Sequence, residues 1–253
     1  GVDEAIDMAP QNRFALPEKI LPVDAPATIT PQVSAPEQAA PAKQAATTPN
    51  AQSEGTRELA AGCANINELR AAIGAFDGCA LKRTATNTVV GTGDEAAALM
   101  VVGEAPGGEE DRRGLPFVGP AGQLLDRMLA AIGLERSAVY ISNILPWRPP
   151  GNRSPTAEEI SLCQPFVERQ IELVQPKVLV LVGGISAKSL LDKREGITRL
   201  RGTWREFQAP GMAEPIATMA TFHPAYLLRQ PAAKKEVWRD LLAIQQKLTE
   251  LSD

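Results

Sequence analysis

Residues 98–129 read ALMVVGEAPGGEEDRRGLPFVGPAGQLLDRML, and this stretch indicates the fold class. It begins with five apolar residues at 98–102, as expected of a strand whose two faces are both covered. A glycine-containing turn and an acidic run follow, and then comes a segment whose apolar residues recur at helical spacing. The stripe consists of Leu124, Leu125, Met128, Leu129 and Ile132. The stretch therefore predicts a strand, a polar turn and an amphipathic helix.

The same alternation of strand and helix continues toward the end of the chain. A Thr-x-x-Glu capping box at Thr156 and Glu159 predicts the start of a long helix, which Pro165 is expected to kink. This alternation predicts a three-layer α/β/α domain with a central, mostly parallel four-stranded sheet. The four nearly continuous apolar runs that predict its strands are 98–103, 139–144, 177–183 and 215–222.

The N-terminal part of the chain differs in composition from the rest. Residues 1–55 are rich in Ala, Pro, Gln and Thr without an apolar period, which predicts a disordered tail. The tail carries 7 acidic and 3 basic residues, whereas residues 56–253 carry 23 of each, so the predicted α/β domain is neutral. A short apolar patch at 14–23 is interpreted as a collapsed piece of tail, with a docking segment for a repair protein as the alternative.

Composition also limits the compartment and the assembly. No apolar run approaches 18 residues and no secretory signal is visible, so we expect no contact with a membrane. Three cysteines in 253 residues argue against a disulfide framework and favour a reducing compartment, which predicts a cytoplasmic protein. A monomer is the default expectation.

Polar side chains follow the predicted strands. Glu104 comes after the first strand, Asn143 ends the second, Gly183-Gly184 follows the third, and His223, the only histidine, follows the fourth. Because ligands of parallel α/β sheets bind beyond the carboxyl ends of the strands, we expect these groups to share one edge. The turn Gly-Glu-Ala-Pro-Gly matches neither a dinucleotide-binding nor a phosphate-binding loop, so a nucleotide-binding protein is the weaker interpretation.

Several motifs together resemble the family 4 uracil-DNA glycosylases, in order and in spacing, from about Phe76 to the C-terminus. These motifs are GEAPGGEED, GLPFVGPAGQLLDRML, VYISNILPWRPPGNRSPTAEE, QPKVLVLVG, RGTWREF and TFHPAYLLR. The resemblance implies hydrolysis of the N-glycosidic bond of deoxyuridine in DNA, which releases uracil and leaves an abasic site in base excision repair.

The resemblance also implies roles for residues near the strand ends. His223 would donate a hydrogen bond to O2 of the departing uracil, and Glu104 would stabilise the cationic sugar and position water. Asn143 would pair with N3–H and O4 of uracil, and Phe117 would stack on the flipped base. Ala105 and Gly107, in the turn after the first strand, are further predicted substrate contacts.

Glu110 has two interpretations. In relatives a glutamate here lies beside C5 of the base, where it could exclude the methyl group of thymine. The alternative is that residues 109–111 form a solvated acidic turn.

Basic residues around the predicted site are candidates for DNA binding. The rigid loop that contains Arg148 and Arg153 can press on phosphates, and solvent-facing arginines are the alternative account of Arg199 and Arg201. By resemblance, an apolar residue after His223 wedges into the hole left by the flipped base, and we assign this role to Leu227. The alternative is that it packs inward. The DNA-binding set is Arg148, Arg153, Arg199, Arg201, Leu227 and Arg229.

The cysteine pattern departs from the family. Most family 4 enzymes hold an iron–sulfur cluster with four cysteines, but here Phe76 and Trp147 stand at two of those positions, and only Cys79 and Cys163 remain. Cys63 lies too far upstream to substitute. We therefore expect no cluster, no metal and no other cofactor, with the two rings filling the volume of a cluster. A metal site formed by Cys63, Cys79 and Cys163 is the weaker alternative.

Two functional hypotheses remain at this stage. The first is a monofunctional glycosylase, since no lysine at the predicted strand ends could act as a Schiff-base nucleophile. The second is a module of the same fold that binds uracil-containing or abasic-site DNA with little turnover.

Overall fold

The computed structural model describes residues 49–252. A five-stranded sheet forms the centre of this region, in the order β2-β1-β3-β5-β4. Four strands are parallel, and β4 pairs with β5 in the antiparallel direction. The strands are β1 (Leu99–Gly103), β2 (Val139–Asn143), β3 (Val178–Val182), β4 (Trp204–Phe207) and β5 (Ile216–Thr221).

Helices cover both faces of the sheet, which confirms the predicted α/β class. They are α1 (Pro49–Ala61), α2 (Ile66–Ala75), α3 (Gly108–Arg113), α4 (Pro120–Ala130), α5 (Ala157–Val174), α6 (Gly184–Leu191), α7 (Ile197–Leu200), α8 (Pro224–Arg229) and α9 (Lys234–Glu250). Within the described residues, no helix is both long enough and apolar enough to cross a membrane.

Two hydrophobic cores lie on opposite faces of the sheet, because side chains alternate along each strand. In β1, Met100 and Val102 point into the core that α5 covers, whereas Leu99 and Val101 point into the core that α4 and α9 cover. The strands are buried on both faces, and this explains why they appear in the sequence as continuous apolar runs.

The predicted four-stranded sheet is wrong by one strand, β4. This edge strand has four residues, Trp204 and Arg205 are only half-buried, and Glu206 is exposed. A strand this short and polar produces no apolar run in the sequence. It adds an antiparallel edge beyond β5.

Helices α5 and α1 bear on two further expectations. Helix α5 runs through Pro165 without interruption, and a bend of its axis at that residue stays a prediction. Leu162 and Cys163 before the proline and Phe166 and Val167 after it are buried in the core, and we attribute the continuity to that packing. Helix α1 begins at Pro49, inside the segment assigned to the tail, and Arg57 Nη1 donates to Glu168 Oε2 of α5 at 2.6 Å. The rest of the predicted tail, residues 1–48, lies outside the described residues.

Candidate active site

The carboxyl ends of the parallel strands bring the predicted catalytic groups to one edge. Gly103 pairs with Asn143 across β1 and β2, and Glu104 follows directly. The segments that follow β1 and β2 stay hydrogen-bonded to each other. The Ile144 and Leu145 amides donate to the carbonyls of residues 103 and 104 at 3.0 and 3.1 Å. On the other side of β1, Gly183 follows β3, and its amide donates to the Thr221 carbonyl of β5.

Gly103, Phe117 and Asn143 form a close contact at this edge. A Cβ atom placed on Gly103 would lie 2.5 Å from Asn143 Oδ1 and 2.6 Å from Phe117 Cζ. Only glycine therefore lets the amide and the ring approach each other. Phe117 itself has a φ of 52°, a left-handed conformation that is rare for an aromatic residue and is often associated with functional sites.

Asn143 has an unusual hydrogen-bonding state. The residue is buried, yet its Oδ1 has no hydrogen-bond partner. A buried acceptor without a donor is costly, and in native structures it calls for an explanation such as a missing ligand. The side chain can accept one hydrogen bond and donate another to the edge of a planar molecule.

His223 is fixed at the N-terminus of α8. Its Nδ1 accepts a hydrogen bond from the Ala225 amide at 3.1 Å, so in the neutral ring the proton lies on Nε2. Burial lowers the pKa of His223 to about 4, with a further lowering from Arg229 and a smaller opposing effect of Glu110. At neutral pH the imidazole is therefore uncharged and carries an Nε2–H donor.

Two neighbours shape the surroundings of this imidazole. The rings of Phe117 and His223 stack, with centroids 5.6 Å apart and planes inclined by 28°. Gly183 has a φ of 106°, and a Cβ atom there would lie 3.3 Å from the Cβ of His223. The structure thus places His223, Phe117 and Asn143 in one group, as the sequence predicted.

Glu104 lies on the turn after β1 and is partly buried. Burial raises the pKa of its carboxyl group above the ordinary value of 4.5. The adjacent Ala105 packs against the core on the α5 side of the sheet. Gly107 is the N-cap residue of α3, and a Cβ atom there would lie 2.7 Å from Glu110 Oε2.

Glu110 is not part of a solvated turn. Its Oε1 accepts hydrogen bonds from the amides of Val118 and Gly119, at 2.9 and 2.8 Å. The carboxylate therefore joins the start of α3 to the loop that carries Phe117. It acts electrostatically on His223 and lies against Gly107.

The predicted DNA-binding arginines differ in their contacts and in their exposure. Arg148 donates to Asn152 Oδ1 at 2.7 Å and lies near Gly108, beside the turn after β1. Arg153 pairs with Glu159 at 2.6 Å. Arg199 and Arg229 are exposed.

Arg201 differs from these arginines because its side chain makes contacts that stabilise the fold. Its Nη2 donates to buried Asp240 at 2.5 Å, and its guanidinium lies over the Phe222 ring, 5.3 Å from the centroid. Asp240 also accepts from Thr221 Oγ1. These contacts attach α9 to the sheet and leave the side chain 16% exposed, which argues against the predicted phosphate contact.

The predicted role of Leu227 as the apolar wedge also needs correction. It is 1% exposed and packs in the core under α4 and α9, so it does not project toward DNA. Leu228, the next residue, is 43% exposed, and Tyr226 is 37% exposed. The choice between these neighbours depends on the rotation of α8, which the sequence does not reveal.

The region of the missing cysteines is packed with aromatic rings. Phe76 stacks on Trp147 at 6.3 Å and meets Phe166 edge-on at 5.3 Å. Trp147 is fully buried, and its Nε1 donates to Thr88 Oγ1 at 3.1 Å.

The two remaining thiols lie beside these rings. Cys163 Sγ is 4.0 Å from Cys79 Sγ, and this contact lowers the pKa of the Cys79 thiol to about 7 while raising that of Cys163. Cys63 instead donates to the Leu59 carbonyl. Within residues 49–252, no three His, Cys, Asp or Glu side chains are grouped as metal ligands. Two thiols and two rings do not fit the four-cysteine shell of an iron–sulfur cluster.

Comparison with known proteins agrees with this geometry. The model of the uracil DNA glycosylase superfamily matches residues 90–242. The chain belongs to this superfamily. It is 42% identical over 170 residues to a type-4 uracil-DNA glycosylase of Archaeoglobus fulgidus, which covers 66% of this chain and 84% of that protein. It is 37% identical over 181 residues to the type-4 enzyme of Pyrobaculum aerophilum, covering 70% and 91%.

A third relative is the type-4 uracil-DNA glycosylase of Thermotoga maritima, 43% identical over 152 residues, which are 60% of this chain and 77% of that protein. These matches confirm the family resemblance drawn from the motifs. As a member of the superfamily, the protein is a DNA N-glycosylase, a hydrolase of N-glycosyl bonds.

Arg136 belongs to the site but was missed by sequence reasoning. Its guanidinium donates to the carbonyls of Pro116 and Phe117 at 2.5 and 2.9 Å and is held by Asp126 at 2.9 Å. It therefore anchors the left-handed backbone at Phe117 from outside the pocket. Its sequence position, in a short turn before β2, carries no motif that could have indicated this role.

Proposed function

We propose that this protein excises uracil from DNA as a monofunctional glycosylase that needs no iron–sulfur cluster. The observation that carries the proposal is the pair of groups at the sheet edge. Neutral His223 offers an Nε2–H donor, and buried Asn143 offers an acceptor without a partner. A flipped uracil presents the complementary atoms.

Asn143 is proposed to read the base. Uracil presents an N3–H donor to Oδ1 and an O4 acceptor to Nδ2 of the carboxamide. Cytosine has an acceptor at position 3 and a donor at position 4, so it would leave polar groups of the site unpaired. Such mismatched burial costs about 1–3 kcal/mol for each group.

Thymine presents the same edge as uracil, so its methyl group must be excluded by shape. Glu110 is proposed to form part of that wall, because hydrogen bonds from Val118 and Gly119 fix its carboxylate beside Gly107. Phe117 is proposed to supply the stacking face for the base.

His223 is proposed to stabilise the leaving uracil. As the glycosidic bond breaks, negative charge develops on O2, and an Nε2–H donor aimed at this atom stabilises the transition state. A pKa of about 4 means that the ring does this as a neutral hydrogen-bond donor, without giving up a proton. The Ala225 amide holds the required tautomer.

Glu104 is proposed to act on the sugar side. The deoxyribose becomes cationic as the bond breaks, and an ionised carboxylate stabilises it and orients the attacking water. The proton released by that water can pass to the carboxylate. The raised pKa of Glu104 favours this transfer.

Abasic-site DNA is the proposed end product, because the turns directly after β1, β2, β3 and β5 contain no lysine that could form a Schiff base with the sugar. Exposed Arg199 and Arg229, together with Arg148, are proposed to contact phosphates of the DNA. Leu228 replaces Leu227 as the proposed wedge, since it is the exposed neighbour.

Stacked rings are proposed to replace the cluster. Phe76, Trp147 and Phe166 form a packed group around the two thiols. All three cysteines are free and buried, which fits work in a reducing compartment such as the cytoplasm.

The test uses end-labelled oligonucleotides that carry a single uracil, thymine or cytosine at the same position. We expect the EDTA-treated protein to make only the uracil strand sensitive to alkali, in single- or double-stranded form. Without alkali the strand should stay intact, and borohydride should trap no covalent complex. Tight binding of the uracil strand without alkali-sensitive sites would instead favour a binding module.

A further inference from the structure

A second cleft lies at the opposite edge of the sheet from the active site. Its volume is about 840 Å³. Lys177 directly precedes β3 and Pro215 directly precedes β5, whereas Gly183 and His223 follow the carboxyl ends of the same strands. Five residues of strand separate the two edges by about 16 Å. The cleft is therefore independent of the active site.

Positive charge dominates the lining of this cleft. Lys177, Lys193, Arg205 and Lys247 face it, against a single lining carboxylate, that of Glu206. The rest of the lining is Leu191, Trp204, Pro215, Ala217 and Leu251. Strand β4 divides these cations, because Arg205 lies on the same face of β4 as Phe207, near Lys193 at the end of α6, whereas Lys247 contacts Trp204 on the other face. Two cations on the α6 side, Lys193 and Arg205, favour an anionic ligand there.

Two of these cations already have partners. Lys177 donates to the Leu251 carbonyl at 2.6 Å, and Lys247 pairs with Glu250 at 2.8 Å while lying over the Trp204 ring. Lys193 forms no ion pair with any described residue. Exposed Glu195 also lies close enough to interact with these cations, since its pKa is lowered mainly by a backbone hydrogen bond and to a smaller extent by the charges of Lys193 and Arg205.

Arg205 provides the decisive observation. Its Nε is buried and has no acceptor. Among the described residues, only two buried side-chain atoms are unsatisfied, Arg205 Nε and Asn143 Oδ1. The second is an acceptor in the proposed uracil pocket. The first belongs to a guanidinium whose Nη atoms are not among the buried atoms and form no ion pair with a described residue, so Nη1 and Nη2 can donate to an oxygen of a ligand.

We propose that this cleft binds a phosphate group, with Arg205 and Lys193 as its principal ligands. A guanidinium presents parallel N–H donors that match two phosphate oxygens, and lysine adds a mobile positive charge. The phosphate belongs either to a free phosphate compound or to the backbone of a DNA segment outside the active site. The proposal does not rest on the proposed excision of uracil.

Isothermal titration calorimetry on the full chain tests the proposal in two arms. One titrant is pyrophosphate, and the other is a short oligothymidylate without uracil. We expect saturable binding in at least one arm, weakened about tenfold or more by Arg205→Gln and by Lys193→Gln. That factor is within the range expected for losing one charge-assisted hydrogen bond. Arg239→Gln, an exposed arginine of α9 outside the cleft, is the matched control and should bind like the wild type.

The two arms separate the sources of the phosphate. A response to pyrophosphate assigns the cleft to free phosphate compounds, and a response only to the oligonucleotide assigns it to DNA backbone. Lys193 is exposed, so its variant keeps the test valid if Arg205→Gln fails to fold. Uracil excision from a short oligonucleotide should stay within twofold of wild type in each folded variant. Absence of binding in both arms, or equal binding by wild type, both cleft variants and the control, would overturn the proposal.

Discussion

The strand-end site and the aromatic–thiol cluster of Phe76, Cys79, Trp147 and Cys163 differ in how closely they follow the pattern that the family resemblance implies. At the strand ends, Glu104, Asn143 and His223 keep the residue types that the family resemblance implies. In the aromatic–thiol cluster, rings stand at two positions where the family resemblance implies cysteines. We infer that the strand-end site requires particular functional groups, whereas the aromatic–thiol cluster requires side chains that fill its volume.

The physical reason lies in what each region must do. In the proposed mechanism a hydrogen-bond donor at His223 Nε2 has no apolar substitute, because only a polar hydrogen can stabilise charge on uracil O2. A structural cluster, in contrast, holds segments together, and packed rings can also do that. Phe76 and Trp147 link the end of α2 to the loop after β2 through stacking.

The largest expected effect concerns the stability of the aromatic–thiol cluster. Trp147→Ala removes a fully buried ring and should lower the free energy of unfolding by about 3–5 kcal/mol. Urea denaturation followed by circular dichroism measures this. Trp238→Ala is the control, because that ring is 44% exposed and should cost far less. Equal losses of unfolding free energy in the two variants would show that the aromatic–thiol cluster does not hold the domain together.

At the strand-end site, His223→Ala should lower the single-turnover rate of uracil release about 10²–10³-fold, the usual cost of losing one oxyanion donor. Binding of uracil-containing DNA should be much less affected, because the proposed role is confined to the transition state. A rate within a few-fold of wild type would assign the leaving-group role to another residue.

Two adjacent leucines sharpen the contrast between packing and function. Leu227→Ala should destabilise the domain by about 2–5 kcal/mol, because that side chain is buried. Leu228→Ala should leave stability nearly unchanged and slow excision from duplex DNA, with a smaller effect on single strands, which need no base flipped out of a stack. The reverse pattern would restore the wedge role to Leu227.

A pH profile separates the two catalytic groups. The proposed mechanism needs Glu104 ionised and His223 neutral, and both conditions fail as pH falls. The pKa of Glu104 is raised above 4.5, whereas that of His223 is lowered to about 4, so Glu104 protonates first and sets the acid limb. We expect kcat/KM to fall tenfold per pH unit below that limb, and Glu104→Gln to remove it. A limb centred near 6.5, the ordinary histidine value, that persists in Glu104→Gln would contradict the assignment.

The sequence predicted the site where backbone topology alone decides position. Glu104, Asn143 and His223 each lie at or just after the carboxyl end of a parallel strand, and parallel strands bring these ends to the same edge. The strands were recognisable because burial on both faces makes them continuously apolar. Strand β4 escaped prediction because it is a short, partly exposed edge strand.

Properties that depend on side-chain partners distant in the sequence could not be predicted from it. The partner of Arg201, Asp240, lies 39 residues away on α9, so the ion pair has no local signal. The choice between Leu227 and Leu228 depends on the phase of a six-residue helix. Arg136 supports Phe117 through backbone carbonyls, which no side-chain motif specifies.

One measurement tests most directly the claim that packed rings replace the cluster without loss of catalysis. The purified, EDTA-treated protein is assayed for iron and, in the same sample, for single-turnover release of uracil. The account predicts iron far below one atom per chain together with full excision of uracil and none of thymine. Stoichiometric iron, or excision that appears only after iron and sulfide are added, would contradict it.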